Sequence, residues 1–273
     1  MRIIMYPHGG SGNRGCEAIV RSTIKVLQPE EAVLFSACKS DDYEVGLEKL
    51  CNVLDEKRKI NQRKLSYLIA YFNYHFLQKK DSFDLLTFKN IFDLCNNKTI
   101  ALSIGGDNYC YGEANYIYLI NRRIRSKRTK TVLWGCSVDK DQLTENMIDD
   151  LQKYDLIVAR ESLTYEAMKK INKNTVLYPD PAFQLNVKNN PLPKGFVEGN
   201  TVGLNISPMI INNENVKGMA IKNYEKLIEY ILDNTTMQIA LIPHVIWNSN
   251  DDRKPIEYLY KKFGDTGRVI NVP

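Results

Sequence analysis

The sequence predicts an α/β protein of two domains, each a mainly parallel sheet flanked by helices. Apolar runs of strand length alternate with helically spaced segments along the chain, the pattern of repeated βαβ units. A glycine-rich turn follows the first strand, and the stretch 186–200, with Pro191, Pro193, Gly195 and Gly199, separates a first domain, 1–185, from a second, 201–273. With 273 residues, 44% of them hydrophobic, the chain can fill one large or two ordinary cores.

The first strand is the apolar run 2–6, and the first helix takes up at Glu17 with apolar residues spaced helically to Ile24. Between them Gly9, Gly10, Gly12 and Gly15 free the backbone for tight turns and for close approach of a ligand. Such a turn offers N–H groups at a helix N-terminus, where an anion is favoured, and Arg14 adds a planar cation. Gly10, Ser11, Gly12, Asn13, Arg14 and Gly15 therefore read as an anion-binding loop. A turn whose glycines serve packing alone is the alternative.

Two nucleotide motifs compete for this loop. Gly10, Gly12 and Gly15 satisfy G-x-G-x-x-G, but the dinucleotide reading needs an acidic residue ending the second strand. That strand, 32–35, runs into Ser36, Ala37, Cys38 and Lys39 instead, which weakens a nicotinamide cofactor. The triphosphate loop fails because Cys16 and Glu17, not Lys and Ser or Thr, follow Gly15.

A short third strand is expected at 51–54, then a basic stretch, 57–64, leading into an aromatic-rich helix, 65–77, that ends in Lys79 and Lys80. Two readings stay open: a helix resting on anionic lipid, or a core-packed helix with solvated ends. Nucleic acid is a poor partner, because no recognised binding module accompanies the charge.

The clearest buried strand, 99–104, delivers Gly105, Gly106, Asp107 and Asn108 at its carboxyl end, the edge where open parallel sheets bind ligands. Asp107 is a candidate general base or sugar-hydroxyl acceptor, with Gly106 and Asn108 beside it. An Asx turn into the next helix is the alternative. That helix, 116–124, runs into a basic patch of Arg122, Arg123, Arg125, Lys127, Arg128 and Lys130, expected to be a solvated face. The alternation continues through strands 131–134, 156–159 and 175–178 and helices 142–151 and 162–171. Arg160 and Glu161 follow one strand end, and Asp180, between Pro179 and Pro181, follows another, marking candidate positions at the sheet edge.

In the second domain, strands 201–206 and 238–242 flank a helix at 219–232. Pro243 and His244 end the second of these strands, Asp251 and Asp252 open a helix to Phe263, and a last strand spans 268–273. Three strands are half of a six-stranded nucleotide-binding domain.

The net charge of +5 permits anionic partners without requiring them. Six scattered cysteines and three dispersed histidines form no zinc spacing, so no metal is expected and reduced structural thiols are. The chain opens on a strand, lacks a secretory leader and has no apolar run of membrane-spanning length. A cytoplasmic location is expected, at the inner face of the membrane where the substrate is carried on lipid.

The segments Gly10 to Ala18, Gly105-Gly106-Asp107, Ala159-Arg160-Glu161-Ser162, Tyr178-Pro179-Asp180-Pro181-Ala182 and Ile242-Pro243-His244, in this order, resemble the polysaccharide pyruvyl transferase family. The resemblance covers the chain from residue 1 to its end, and the first segment is its most specific part. It implies two Rossmann-like domains of the GT-B type, with the reaction in the cleft between them. It also implies transfer of the enolpyruvyl carbons of phosphoenolpyruvate to two sugar hydroxyls of a surface polysaccharide or lipid-linked precursor, giving a pyruvate ketal and phosphate. No cofactor is implied beyond phosphoenolpyruvate as donor substrate. Such chemistry needs an acid for the methylene carbon, a base for the hydroxyl, and cations for the donor. Arg14 with the Gly10 to Gly15 amides fits the last role, Asp107 or Glu17 the base, and His244 the acid. A nucleotide-sugar glycosyltransferase of the same architecture, or a non-catalytic carbohydrate-binding remnant, are the rival readings. The family's Arg-x-His element, late in its second domain, has no counterpart here. A truncated second domain is therefore expected, with an exposed strand edge after residue 272.

Overall fold

The structure, a computed structural model, describes residues 1–186, 190–247 and 250–272. Residues 187–189 of the expected linker, and 248, 249 and 273 of the expected second domain, lie outside the described residues. The chain divides into two compact units, Met1–Ser11 with Gly15–Leu185, and Gly12–Arg14 with Asn186–Pro273.

The first unit is built on strands β1 (Arg2–His8), β2 (Glu31–Ser36), β3 (Asn52–Asp55), β4 (Thr99–Ser103), β5 (Lys130–Cys136), β6 (Leu156–Ala159) and β7 (Thr175–Leu177). They form one sheet in the order β3-β2-β1-β4-β5-β6-β7, every neighbouring pair parallel. The order reverses between β1 and β4, so the loops after these strands diverge at the topological switch point, where doubly wound sheets bind ligands. Helices α1 (Arg14–Leu27), α2 (Lys39–Glu44), α3 (Leu65–His75), α4 (Ser82–Thr87), α5 (Lys89–Asp93), α6 (Asn115–Ser126), α7 (Glu145–Leu151) and α8 (Ser162–Ile171) belong to this part of the chain.

Both faces of the sheet are covered, which is why its central strands read as unbroken apolar runs. Ile3, Met5, Leu34 and Leu102 face a core shared with Val20 of α1. The alternate residues Ile4, Val33, Phe35 and Ala101 pack with Ile91, Phe92, Ile120 and Ile124.

In the second unit, β8 (Thr201–Leu204), β9 (Gln238–Leu241) and β12 (Val269–Asn271) form a three-stranded parallel sheet, order β12-β9-β8. Helices α9 (Pro208–Asn212), α10 (Met219–Asn234) and α11 (Arg253–Phe263) accompany it. Its core gathers Ile206, Ile228, Ile239, Leu241, Ile256 and Leu259. A two-stranded antiparallel ribbon, β10 (Ile246–Trp247) and β11 (Asn250–Asp251), precedes α11, so Asp251, expected to open that helix, ends a strand instead.

One open reading is narrowed and one expectation is corrected. The helix at 65–77 is not core-packed, since Ala70 is its only buried residue. The basic patch on α6 is not wholly solvated either. Arg125 turns inward, pairing with Asp150 at 2.6 Å and lying over the ring of Tyr154. It completes a buried polar network in which Tyr6 donates to Asn121 at 2.7 Å, and Asn121 and Tyr109 both donate to Asp150 at 2.6 Å. These polar groups are paired with one another, so burial carries no desolvation penalty left uncompensated. The network ties the end of β1 to the segment just after Asp107.

Candidate functional site

In the first unit the glycine-rich segment rests on a buried carboxylate. Asp42, on α2, accepts at one oxygen from His8 Nε2 at 2.8 Å, from the Ser11 main-chain N–H at 3.0 Å and from the Ser11 hydroxyl at 2.7 Å. His8, Ser11 and Asp42 are all buried. Burial pushes the Asp42 carboxyl up, but the hydrogen bond and charge interaction with His8, together with hydrogen bonds from Ser36 and Ser11, hold it below the usual carboxylate range. Gly10 adopts φ +105°, and a Cβ there would meet the Cβ of Cys38 at 2.8 Å. Glycine is required at this point both for its conformation and for the space.

Residues 12–14 belong to the second unit, where they run antiparallel beside 244–246. The Ile246 N–H donates to the Gly12 carbonyl at 2.8 Å, the Arg14 N–H donates to the His244 carbonyl at 3.1 Å, and Asn13 bridges Val245. The amides of Ser11 and Arg14 are thus committed within the protein and cannot serve the expected anion hole. Beneath 244–246 lies Asp252, fully buried. One of its oxygens accepts from the N–H groups of His244 and Val245 at 3.0 and 2.9 Å and from Asn205 at 2.9 Å. The His244 residue is exposed.

A second cluster of the first unit lies at the carboxyl ends of β4 to β7. Gly105 and Gly106 make the tight exit from β4. A Cβ on Gly105 would fall 1.7 Å from the Asn108 side chain, and Gly106 has φ +70°. Asp107 follows, its main-chain N–H donating to Gly105 at 2.7 Å. Asp107 lines a cavity of ≈ 220 Å³ with Asn108, Tyr111, Tyr116 and Ile117. The Tyr111 phenol is pushed up to about 12, chiefly by its hydrogen bond to Asp107. Beside it Arg160 donates from Nε to Ser137 at 2.8 Å and pairs through Nη1 with Asp180 at 2.9 Å. A Cβ on Gly106 would stand 3.1 Å from that guanidinium. At the first turn of α1, burial and the charges of Asp107 and Asp42 push the Cys16 thiol up to about 11. A helix N-terminus ordinarily lowers a thiol's pKa; at Cys16 burial and the two carboxylates act the other way.

The structure brings Asp107, Gly106, Arg160 and Asp180 together and gives several others local duties. Asn108 donates to Ser103 at 3.0 Å, bracing the β4 exit. Glu161 caps α8, accepting from the N–H groups of Leu163 and Thr164 at 2.7 and 2.9 Å. Asp180 also accepts from the Ala182 N–H at 2.9 Å. Glu17 pairs with Arg21 one turn on, at 2.7 Å. No cluster of three or more potential metal-ligating side chains occurs among the described residues.

The sequence profile of the polysaccharide pyruvyl transferases matches residues 13–272. The chain belongs to the polysaccharide pyruvyl transferase family. A search of curated proteins finds no match. Among solved structures, this family member is similar in fold to Anabaena HepE in complex with UDP-glucose, with 10% identity, a TM-score of 0.52 and coverage of 100% of this chain and 68% of that one. It is similar also to Arabidopsis thaliana UGT89C1 complexed with UDP-L-rhamnose, at 10% identity, TM-score 0.51, covering 100% and 69%. A UDP-N-acetylglucosamine 2-epimerase matches at 13% identity, TM-score 0.51, covering 99% and 67%. Together these establish an α/β fold of GT-B type with Rossmann-like sheets, the second sheet the smaller.

Sequence reasoning missed His8 and Asp42 in this pyruvyl transferase family member. The acid absent from the end of β2 stands three residues past Lys39, inside α2. Asp42 is spent on His8 and Ser11 rather than offered to a ribose, so its presence does not revive the dinucleotide reading. The available signal was chemical: two aspartates, Asp41 and Asp42, open a short helix directly after a strand that neighbours the glycine loop.

Proposed function

We propose that this protein transfers the pyruvyl group of phosphoenolpyruvate to two hydroxyls of a saccharide, forming a cyclic ketal. The observation that carries the reading is the family match across 13–272. In the first unit, Asp107 takes the proton of the attacking hydroxyl; it lines a cavity at the sheet's carboxyl edge and accepts a hydrogen bond from Tyr111. Addition of that hydroxyl to the central carbon, with a proton delivered to the methylene carbon, gives a phosphorylated ketal. Attack by the second hydroxyl then expels phosphate, which balances the reaction without any further reactant. Arg14 and His244, which belong to the second unit, stay candidates for the donor-binding cation and the acid on their residue chemistry alone.

A nucleotide sugar as donor is the second reading, favoured by the UDP-sugars bound in two structures of similar fold. Ligand-induced thermal shifts separate the two: phosphoenolpyruvate stabilises the protein under the first reading, UDP under the second. The decisive assay is phosphate release from phosphoenolpyruvate in the presence of oligosaccharide acceptors. Asp107→Asn is expected to lower kcat by about a hundredfold or more while leaving the KM for phosphoenolpyruvate within a few fold. Release of UDP from a UDP-sugar, with none of phosphate from phosphoenolpyruvate, overturns the proposal.

A further inference from the structure

The most conspicuous feature outside the candidate site is α3. Along its outer side run Leu65, Leu68, Ile69, Phe72 and Phe76, at helical spacing. Leu65 and Phe76 are 70% and 68% exposed and the three between them are each more than half exposed. The opposite side is occupied, since Tyr67 and Tyr74 sit against Phe83 of α4 with ring centroids 5.6 and 5.5 Å apart. Phe72 and Phe76 stack on each other at 5.0 Å, making a continuous aromatic ledge that faces solvent. Contiguous apolar surface of this kind on a water-facing helix calls for an occupant.

The charges around it identify that occupant's chemistry. Lys57, Arg58, Lys59, Arg63 and Lys64 precede the helix. Lys79 and Lys80 follow it, and the whole interval 57–80 contains no aspartate or glutamate. None of these seven cations forms an ion pair among the described residues. We propose that α3 docks on an anionic lipid bilayer, its outer apolar side sunk at the level of the headgroups and the flanking lysines and arginines set on the lipid phosphates. Apolar side chains with basic flanks are how a helix lies in a membrane interface rather than across it. No helix of the described residues is long and apolar enough to cross a membrane. A second copy of the chain fits worse, because pairing two such faces would bring two sets of seven like charges together.

This inference is independent of the donor. It is tested by co-sedimentation of the full chain with vesicles of equal parts phosphatidylglycerol and phosphatidylcholine, and with vesicles of phosphatidylcholine alone. Binding is expected to the anionic vesicles only, weakening by about tenfold or more from low to molar salt as the charges are screened. Phe72→Glu and Leu68→Glu together should abolish it, as should Arg63→Glu with Lys64→Glu; these positions are exposed, so circular dichroism and the Tm should stay as in the parent. Failure to bind anionic vesicles, equal binding to neutral ones, or binding unaltered in the variants would overturn the proposal. So would a lipid-free dimer that Phe72→Glu dissociates, which would make the face an interface between copies.

Discussion

Asp42 and Asp252 are two solutions to one problem, a backbone segment that must be held without regular secondary structure. Both are fully buried, and each gathers three donors on a single carboxylate oxygen. In each, the other oxygen is buried with no hydrogen-bond partner among the described residues. They differ in the donors. Asp252 takes two main-chain amides and a carboxamide, groups that do not titrate. Asp42 takes one amide, one hydroxyl and the ring of His8, donors that are themselves buried. Asp252 thus braces a segment whose donors are partly exposed, whereas Asp42 closes a cluster whose members are all buried.

The strongest way to break this comparison is to remove the carboxylates. Asp42→Ala leaves the Ser11 N–H, the Ser11 hydroxyl and the His8 ring without their acceptor in a buried site and should cost about 3 to 5 kcal/mol. Asp252→Ala strands donors that are partly exposed, so about 2 to 3 kcal/mol is expected, read from urea unfolding midpoints at neutral pH. Equal losses would show that burial of the donors is not what separates the two sites. The pH dependence sharpens the contrast. Asp42 has a folded pKa below its unfolded value, so its contribution is complete above the unfolded value and is lost as pH falls through the folded one. Asp42→Asn should therefore flatten the acid limb of the stability curve, and a variant with the parent's acid limb would contradict the assignment.

Much of this was legible in the residues. Both faces of the first sheet are buried, so its strands read as apolar runs such as Ile3 to Tyr6 and Thr99 to Ile104, and the βαβ alternation followed directly. Gly105 and Gly106 stood out because only glycine tolerates that exit from β4. What the sequence hid was pairing at long range. The bond from Arg14 to the His244 carbonyl joins positions far apart in the chain, and no local periodicity reports it. The amides of Ser11 and Arg14 thus looked available when they are not. Arg125 read as solvated for the same reason: its partner, Asp150, comes from another helix. The outer side of α3 lay open because its composition suits a core or a lipid surface alike; its exposure excludes the core.

A third buried carboxyl shows what happens without donors. Glu56, just past the end of β3, is 4% exposed, and its Oε1 has no hydrogen-bond partner among the described residues. Burial pushes its pKa up to about 7, against a smaller opposing pull from Lys57. Here the folded state holds the proton more tightly than the unfolded one. The native state therefore loses stability as pH rises through the window between the ordinary carboxyl value and about 7. Glu56→Gln keeps the shape of the neutral acid and removes the ionisation. It should stabilise the protein at pH 8 by about 2 kcal/mol, the smallest of these effects, and change little near pH 4. Melting temperatures of parent and variant across that range check it, and a gap between them that does not widen with pH would mean that Glu56 ionises without penalty, so that the presence of donors would not be what divides it from Asp42.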